Sequence, residues 1–490
     1  MKKLWCCLMI LCMLLPLAAC NVSDGETTKT PDDDQPAIDM GGYEYRAFLK
    51  NEPSSGSENR YEGFEPWGRT DVLSMSTYTR NQAIEEAYNC KITYQYASSF
   101  EPDSEFKSLQ ESGTRFEVVV LNPSDLVRCA TMGLLRDLKA TEGLDLSGKG
   151  FDQNAVDQLS LGEQLYFVSG DMNFSAIDLT AAMVFNQTLW NEKKTEVATT
   201  LGGAKYADLY GLVNSGEWTV ENMLKIAAAI SEDQDPLDGL PLSVENGDTI
   251  GYFRYLAGPI PYFYASGGRL SAQDADGYPV LTFGNESRQI YDALYQSMNL
   301  NFNPAFPSGT AVGRIPALNS GNTLFTEYLL WDLRRVVSYW DVDFAYGLLP
   351  IPTVNAGAEY GSAIMSTGFT CYWSIPVECT NAQYAAEILE AMARYSQKIV
   401  TPAYDRAVVC SSLSAKDPSY RTLAQIRSSM VYDYANIYYM YSEELPAVIN
   451  AIYRLFNATE NEYDTYVTED SVKEAQEFLD TTFAPLRPAE

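Results

Sequence analysis

The sequence predicts an α/β fold in a chain large enough for two domains. Short apolar or alternating runs that read as strands recur between segments of helical periodicity, and strand–helix–strand alternation argues for layered α/β architecture. Phe116 to Leu121 (FEVVVL) is almost wholly apolar, as a strand covered on both faces of a parallel sheet is. The chain has 490 residues, 46% of them hydrophobic. At ~100–200 residues per domain this suggests two domains or one large bilobal body.

The elements follow in order along the chain. Tyr43 to Leu49 reads as the first strand, followed by a polar, Gly/Ser-rich loop to about Ser76. Asn81 to Tyr88 reads as helix, with Ala83, Ile84, Ala87 and Tyr88 on one side, and Lys91 to Tyr96 alternates like a strand. Ala181 to Phe185 is a second buried-strand run. Thr219 is placed to cap a helix whose Met223, Ile226, Ala227 and Ile230 share one face. Asp274 to Gly277 is a plain turn, lacking the full oxygen-ligand spacing and terminal Glu of a calcium loop. Pro279 to Phe283 follows as a short strand. Ile290, Ala293, Leu294 and Met298 mark another helix. In the last third, Thr380 with Gln383 suggests a capping box before a helix from Ala385 to Tyr395. Further helices are expected at Leu423 to Met430, Leu445 to Phe456 and Val472 to Phe483.

The N-terminus carries the strongest single signal. Lys2 and Lys3 precede an apolar run from Leu4 to Leu17, and Leu17-Ala18-Ala19-Cys20 ends it. Basic start, apolar stretch and small-residue cleavage site make a secretory signal over residues 1–19. The run is shorter than the ~20 residues of a membrane span. The ending resembles the bacterial lipobox, which implies that Cys20 receives lipid and anchors the mature chain. Residues 20–42 then read as lipidated cysteine and tether. Asp32, Asp33, Asp34, Pro31 and Pro36 leave too little apolar surface there to offset ordering entropy.

Charge and composition exclude several functions. Loss of Lys2 and Lys3 takes the formal charge from −31 to −33, which argues against nucleic acid as a partner. With no histidine in the chain, Ser-His-Asp and Cys-His nucleophile systems and imidazole metal sites are absent. No metal or other cofactor is expected. Cys90, Cys129, Cys371, Cys379 and Cys410 remain after the signal and Cys20; five is odd, no pair has metal-type spacing, and most read as small buried apolar residues.

A series of motifs then resembles family 1 extracellular solute-binding proteins of ABC importers, the group that includes maltose-binding protein. The series runs from about Tyr43 to Phe483. Phe116 to Asn122 is similar to the strand that delivers a polar residue to the cleft, and Gly133-Leu134-Leu135-Arg136-Asp137-Leu138 to the family's G-x-L-x-D-L. Met183 to Asn186 with Leu189-Trp190 resembles the segment after the first crossover, and Gly216-Glu217-Trp218-Thr219 resembles G-x-W-T. Tyr264 to Gly268 resembles A-x-G-G, and Ser320 to Trp331 followed by Phe344 to Pro350 resembles the aromatic series beyond it. The loop from Lys50 to Ser76 has no clear counterpart, and the charged sugar-binding positions of the maltose protein do not transfer.

The resemblance implies a bilobal periplasmic-binding-protein-like fold of type II, two α/β lobes joined by a multi-crossing hinge. Crossings are expected near Met172–Ile177, Ser366–Cys371 and Met430–Asn436. Lobe one would be 43–173 plus 367–430, and lobe two 175–365 plus 435–485. A carbohydrate, oligosaccharide for preference, would bind between them for delivery to permease subunits of the importer. The protein would be a monomer and not an enzyme, lipid-anchored on the extracellular face of the cell membrane. An anchored glycan-active enzyme, or an adhesin or sensor on the same fold, is the alternative, since two carboxylates suffice for glycoside hydrolysis.

A sugar offers C–H faces to aromatic rings and hydroxyls to polar groups. The chain holds 34 Tyr, and six Trp remain once Trp5 leaves with the signal. Most of these pack a core, so loop and crossover positions are favoured. Trp67 lies in the loop after the first strand. Asn122 ends a strand, where open α/β sheets place ligand groups. Asp171 and Asn173 flank the first crossing, and Tyr262 and Tyr264 precede the Gly-Gly turn. Trp331 matches a family aromatic, and Tyr438, Tyr439 and Tyr441 lie near the last crossing, with a helix-flanking core patch as the competing role. Arg334 and Arg335 could meet a polar ligand, but a solvated helix face is the favoured role.

Overall fold

The computed structural model describes residues 38–50, 72–237, 242–243, 246–254, 258–301, 321–339, 345–365, 367–409 and 417–488. Cys20, Trp67, Cys410, the signal and the expected tether as far as residue 37 lie outside these residues. From Met40 onward the chain forms one unit, built on two four-stranded sheets.

The first sheet joins β1 (Tyr43–Leu49), β2 (Cys90–Tyr96) and β3 (Val118–Leu121) in parallel, with β1 in the middle. All four residues of β3 are buried, which is what its unbroken apolar run demands. The expected strand from Phe116 begins two residues later. Phe116 packs in the core, and the Glu117 carboxylate accepts from the Tyr43 hydroxyl and the Thr380 amide.

The second sheet contains β4 (Ala181–Asn186), β5 (Ile250–Phe253), β8 (Thr323–Leu329) and β9 (Tyr346–Leu349), in the order β5-β8-β4-β9. Here β4 runs antiparallel to both neighbours. The Val220–Ile230 helix lies so close over β5 that a Cβ on Gly251 would collide with the Ala227 carbonyl. Between these strands in the chain, β6 (Ser271–Gln273) and β7 (Pro279–Leu281) form a hairpin. Its turn places Asp274 Oδ1 on the amides of Asp276 and Tyr278, with Gly277 at φ 83°.

Three passes of the chain between the sheets lie side by side. β10 (Ser362–Ala363) pairs in parallel with β12 (Met430–Val431), and the Met365 amide donates to the Leu179 carbonyl at 2.7 Å. Beyond this ribbon β11 (Tyr372–Ser374) joins the first sheet antiparallel to β3, pairing Tyr372 with Leu121. Side chains knit the passes together. Asn173 Nδ2 and Ser175 Oγ both donate to the Cys371 carbonyl, at 3.0 and 2.9 Å. Thr367 Oγ1 donates to the Asn436 carbonyl, and Asn436 Nδ2 to that of Ile364, both at 3.0 Å. Apart from Ile250 and Phe253 of β5, which form a small cluster of their own, the buried apolar residues of both sheets make one continuous core through this junction.

The helices follow their caps. Thr219 accepts from the Asn222 amide and starts its helix as expected. The expected Thr380–Gln383 box does not form. Asn381 caps the Ala382–Ile399 helix through the Tyr384 amide, because Thr380 is held by Glu117. The expected helix from Leu423 to Met430 starts earlier, at Pro418 behind its Asp417 cap, and stops at Ser428, where β12 takes over the chain. The 285–295 helix passes into a π turn at Gln296–Asn301. The helices Thr401–Val408 and Pro418–Ser428, placed with the first lobe in the sequence reading, bond to second-sheet residues. Tyr346 donates to the Val408 carbonyl at 2.8 Å and the Leu348 amide to Ser419 Oγ at 3.1 Å.

Candidate functional site

The carboxyl ends of β1 and β3 open beside the second and third passes, the edge where open α/β sheets bind ligands. Lys50 directly follows β1, and its amide is pinned to the Val120 carbonyl at 3.0 Å. Its ammonium donates to the Gly368 carbonyl at 2.8 Å and sits 5.7 Å from the centroid of Phe369. Phe369, Met440 and Tyr441 are 52%, 69% and 43% exposed, far more than aromatic and thioether side chains in a core. Tyr441 lies over the backbone at Gly368, where an added Cβ would stand 2.6 Å from the tyrosine hydroxyl. Phe369 and Tyr441 thus leave exposed aromatic surface on either side of Gly368, with the Lys50 ammonium at its margin.

Behind it stands an ionic group. Arg128 Nε donates to Asp103 Oδ2 at 2.7 Å, and its Nη2 also meets Asp125. Burial pushes the Asp125 carboxyl up to about 6, against the pull of Arg128. Asn122, expected as a ligand group, is 6% exposed. Its Oδ1 accepts from the Asp125 amide and the Ser124 hydroxyl, so it caps the Pro123–Thr131 helix. The strand-end position is right, but the side chain is committed to the backbone.

A cavity of about 350 Å³ lies against the first pass, lined in part by Asp152, Asp171, Asn173, Phe174, Tyr404 and Arg427. The rings of Phe174 and Tyr404 stack at 5.2 Å. Burial raises the Asp171 carboxyl, while Arg427 and Thr401 draw it down. Arg427 in turn donates to Asp405 Oδ1 at 2.7 Å. Burial also pushes Asp152 up to about 6, although Tyr432 donates to it at 2.8 Å. Asn173 lines this cavity, and its Nδ2 is committed to the Cys371 carbonyl while its Oδ1 accepts from the Ser175 amide and hydroxyl.

Other expected contacts are packing residues. Tyr262 and Tyr264 are completely buried. The Tyr262 hydroxyl donates to Glu327 at 2.6 Å, and that of Tyr264 to Asp433 at 3.0 Å. Burial, followed by the neighbouring carboxylate, holds both phenols well above their ordinary range. Tyr438 packs edge-on against Phe478 and Phe483. Tyr439 stacks on Tyr453 at 4.2 Å and donates to Asn450. Of that trio, Tyr441 faces solvent. Trp331 is half-buried just past β8, next to Leu330, whose amide reaches the Thr180 carbonyl at the end of the first pass. Arg334, read as solvated, pairs with buried Asp178 at 2.8 Å.

The sequence reading missed Lys50, Phe369 and Met440. Applying to β1 the strand-end rule used for Asn122 finds Lys50. For Phe369 the signal is a lone aromatic between Gly368 and Thr370 inside an expected crossing. Among the described residues, no group of three or more His, Cys, Asp or Glu could hold a metal ion, and no helix is long and apolar enough to cross a membrane.

No protein-family model matches the sequence, and no curated protein matches it. Solved structures do. The chain is similar to UspC of M. tuberculosis with a TM-score of 0.53 and 11% identity, over 89% of this chain and 100% of that one. It is similar to an uncharacterised protein of Listeria monocytogenes EGD-e at 0.52 and 10%, again over 89% and 100%. A cyclo/maltodextrin-binding protein complexed with maltotetraose aligns at 0.51 and 13%, over 92% and 100%. At these identities the likeness establishes the fold, a bilobal periplasmic-binding-protein-like architecture of two α/β lobes.

Proposed function

We propose that this chain captures a carbohydrate between two lobes outside the cell membrane and delivers it to an ABC importer. The observation that carries the reading is the exposed surface of Phe369, Met440 and Tyr441 at the strand ends beside the passes. The shared fold of a maltodextrin-binding protein supports it. Aromatic faces left open to water at such an edge suit the C–H faces of a sugar. Among the described residues, Asp171, Trp331 and Tyr439 are the further expected contacts that are half-buried rather than buried.

In this reading the lobes are 43–173 plus 367–430 and 175–365 plus 435–485, with the helices of 401–428 bridging them. Ligand favours the closed arrangement through the contacts it makes with both lobes, and closure is what the permease subunits recognise. The chain acts as a monomer, with no covalent step. Cys20 carries the lipid that holds it at the extracellular face of the membrane.

A thermal-shift screen of the mature chain tests the core of this. Mono- and oligosaccharides are compared with amino acids and peptides. A ligand at a hundred times its dissociation constant adds ~2.7 kcal/mol of stability. A shift from one sugar group is the expected result. A shift from peptides or amino acids alone would discard carbohydrate while keeping capture.

A further inference from the structure

We infer that Lys50 makes the strand-end surface selective for anionic saccharides, those bearing a carboxylate or sulfate, over their neutral counterparts. This rests on the carbohydrate reading above and names the class of sugar.

The lysine is placed rather than free-swinging. Its backbone closes the end of β1 on Val120, and its ammonium is fixed by the Gly368 carbonyl at 2.8 Å. An ammonium has three N–H donors, and Gly368 takes one. Among the described residues no carboxylate comes within 4.0 Å of it. The nearby cation cannot substitute, because Arg128 is held by Asp103 and Asp125. Asp125 acts on Lys50 only through space. In a chain of formal charge −31, a lysine facing an exposed aromatic surface with donors to spare is a local exception to the surrounding field.

The neighbouring groups set what those donors meet. A pyranose ring lying on Phe369 or Tyr441 presents its equatorial substituents around the rim of the aromatic surface, where the ammonium stands 5.7 Å from the Phe369 centroid. A hydroxyl there gains an ordinary hydrogen bond. A carboxylate or sulfate gains a charge-assisted one, roughly twice as strong. The aromatic ring below excludes water from one side of the pair and weakens its screening. An acidic sugar therefore outbinds its neutral counterpart by roughly tenfold.

The test is calorimetric titration of the mature chain with matched pairs: glucuronate against glucose, galacturonate against galactose, and the trimers of each. The acidic member is expected to bind about tenfold tighter at low ionic strength, with the advantage shrinking as salt rises. Lys50→Met removes the ammonium and should abolish the advantage, weakening the acidic member of each pair about tenfold more than the neutral one. Lys50→Arg should preserve it, and serves as the readout if the methionine variant fails to fold. Equal affinity within every pair, or a preference that survives Lys50→Met, overturns the role of Lys50 and leaves carbohydrate capture standing. Silence from every saccharide, with a shift from another solute, overturns both.

Discussion

Removing the Asp433 carboxylate should destabilise the protein by about 4 kcal/mol, because it alone satisfies several buried donors at the third pass. Asp433 is 3% exposed. Its oxygens accept from the Tyr264 hydroxyl at 3.0 Å, the Leu270 amide at 2.8 Å and the Ser271 amide and hydroxyl at 3.0 and 2.6 Å. They also cap the Tyr434–Tyr438 helix through the Ala435 amide at 3.0 Å. In Asp433→Ala, Ala435 keeps an alternative acceptor in Ser271 Oγ at 3.1 Å, and the Ser271 hydroxyl can rotate. Tyr264 Oη and the amides of Leu270 and Ser271 are left stranded. At about 1–3 kcal/mol for each buried unsatisfied group, with one of them rescued by water, the loss is about 4 kcal/mol. That is a large share of a total of roughly 5–15 kcal/mol. Urea unfolding followed by fluorescence measures it as a lower midpoint at unchanged slope. Asp433→Asn, which retains one acceptor oxygen, should cost about half as much. If Asp433→Ala unfolds within 1 kcal/mol of the parent at the same slope, the donors have other partners and the carboxylate is not what joins hairpin to hinge.

Three other outcomes are expected. Phe369→Ala and Tyr441→Ala should each weaken sugar binding by roughly tenfold, the scale of one lost aromatic contact, while melting within a few degrees of the parent; unchanged affinity in both would move the ligand off this surface. Burial raises the Asp152 carboxyl from its ordinary 3.8 to about 6, so the folded chain holds that proton more tightly than the unfolded one. Its contribution to stability therefore declines as pH climbs from about 4 to about 6 and stays lost above. Asp152→Asn should gain on the parent across that window, and a stability difference flat from pH 4 to pH 7 would refute the effect of burial. Finally, Cys20→Ser should shift the protein from the membrane fraction to the soluble fraction of its host, read by fractionation and blotting.

How much of this was legible beforehand depended on whether one side chain had one plausible role. β3 and β4 were readable because a run of four to six apolar residues can only be covered on both faces. The Thr219 cap was readable because polar and apolar positions agreed. Thr380 shows the limit: its local pattern fits a capping box, but Glu117, more than 250 positions away, already holds its amide. The candidate site divides in the same way. Asn122, Tyr262 and Tyr264 carry the chemistry a sugar needs. Tyr262 and Tyr264 have buried partners in Glu327 and Asp433 that are invisible along the chain, whereas the Asn122 cap on the Asp125 amide is local and was legible as a helix start. Lys50 and Phe369 were overlooked because neither stands out by type. Their meaning comes from the ammonium, the Gly368 carbonyl and the ring meeting in space.

The edge strand β11 has a temporal consequence. Leu121 pairs with Tyr372, about 250 positions later, so the first sheet lacks an edge until most of the polypeptide has been synthesised. A pairing so distant in sequence closes slowly. On the proposed export route that delay gains time: the opening strands cannot finish their sheet on the near side of the membrane while the residues that complete it have yet to be made.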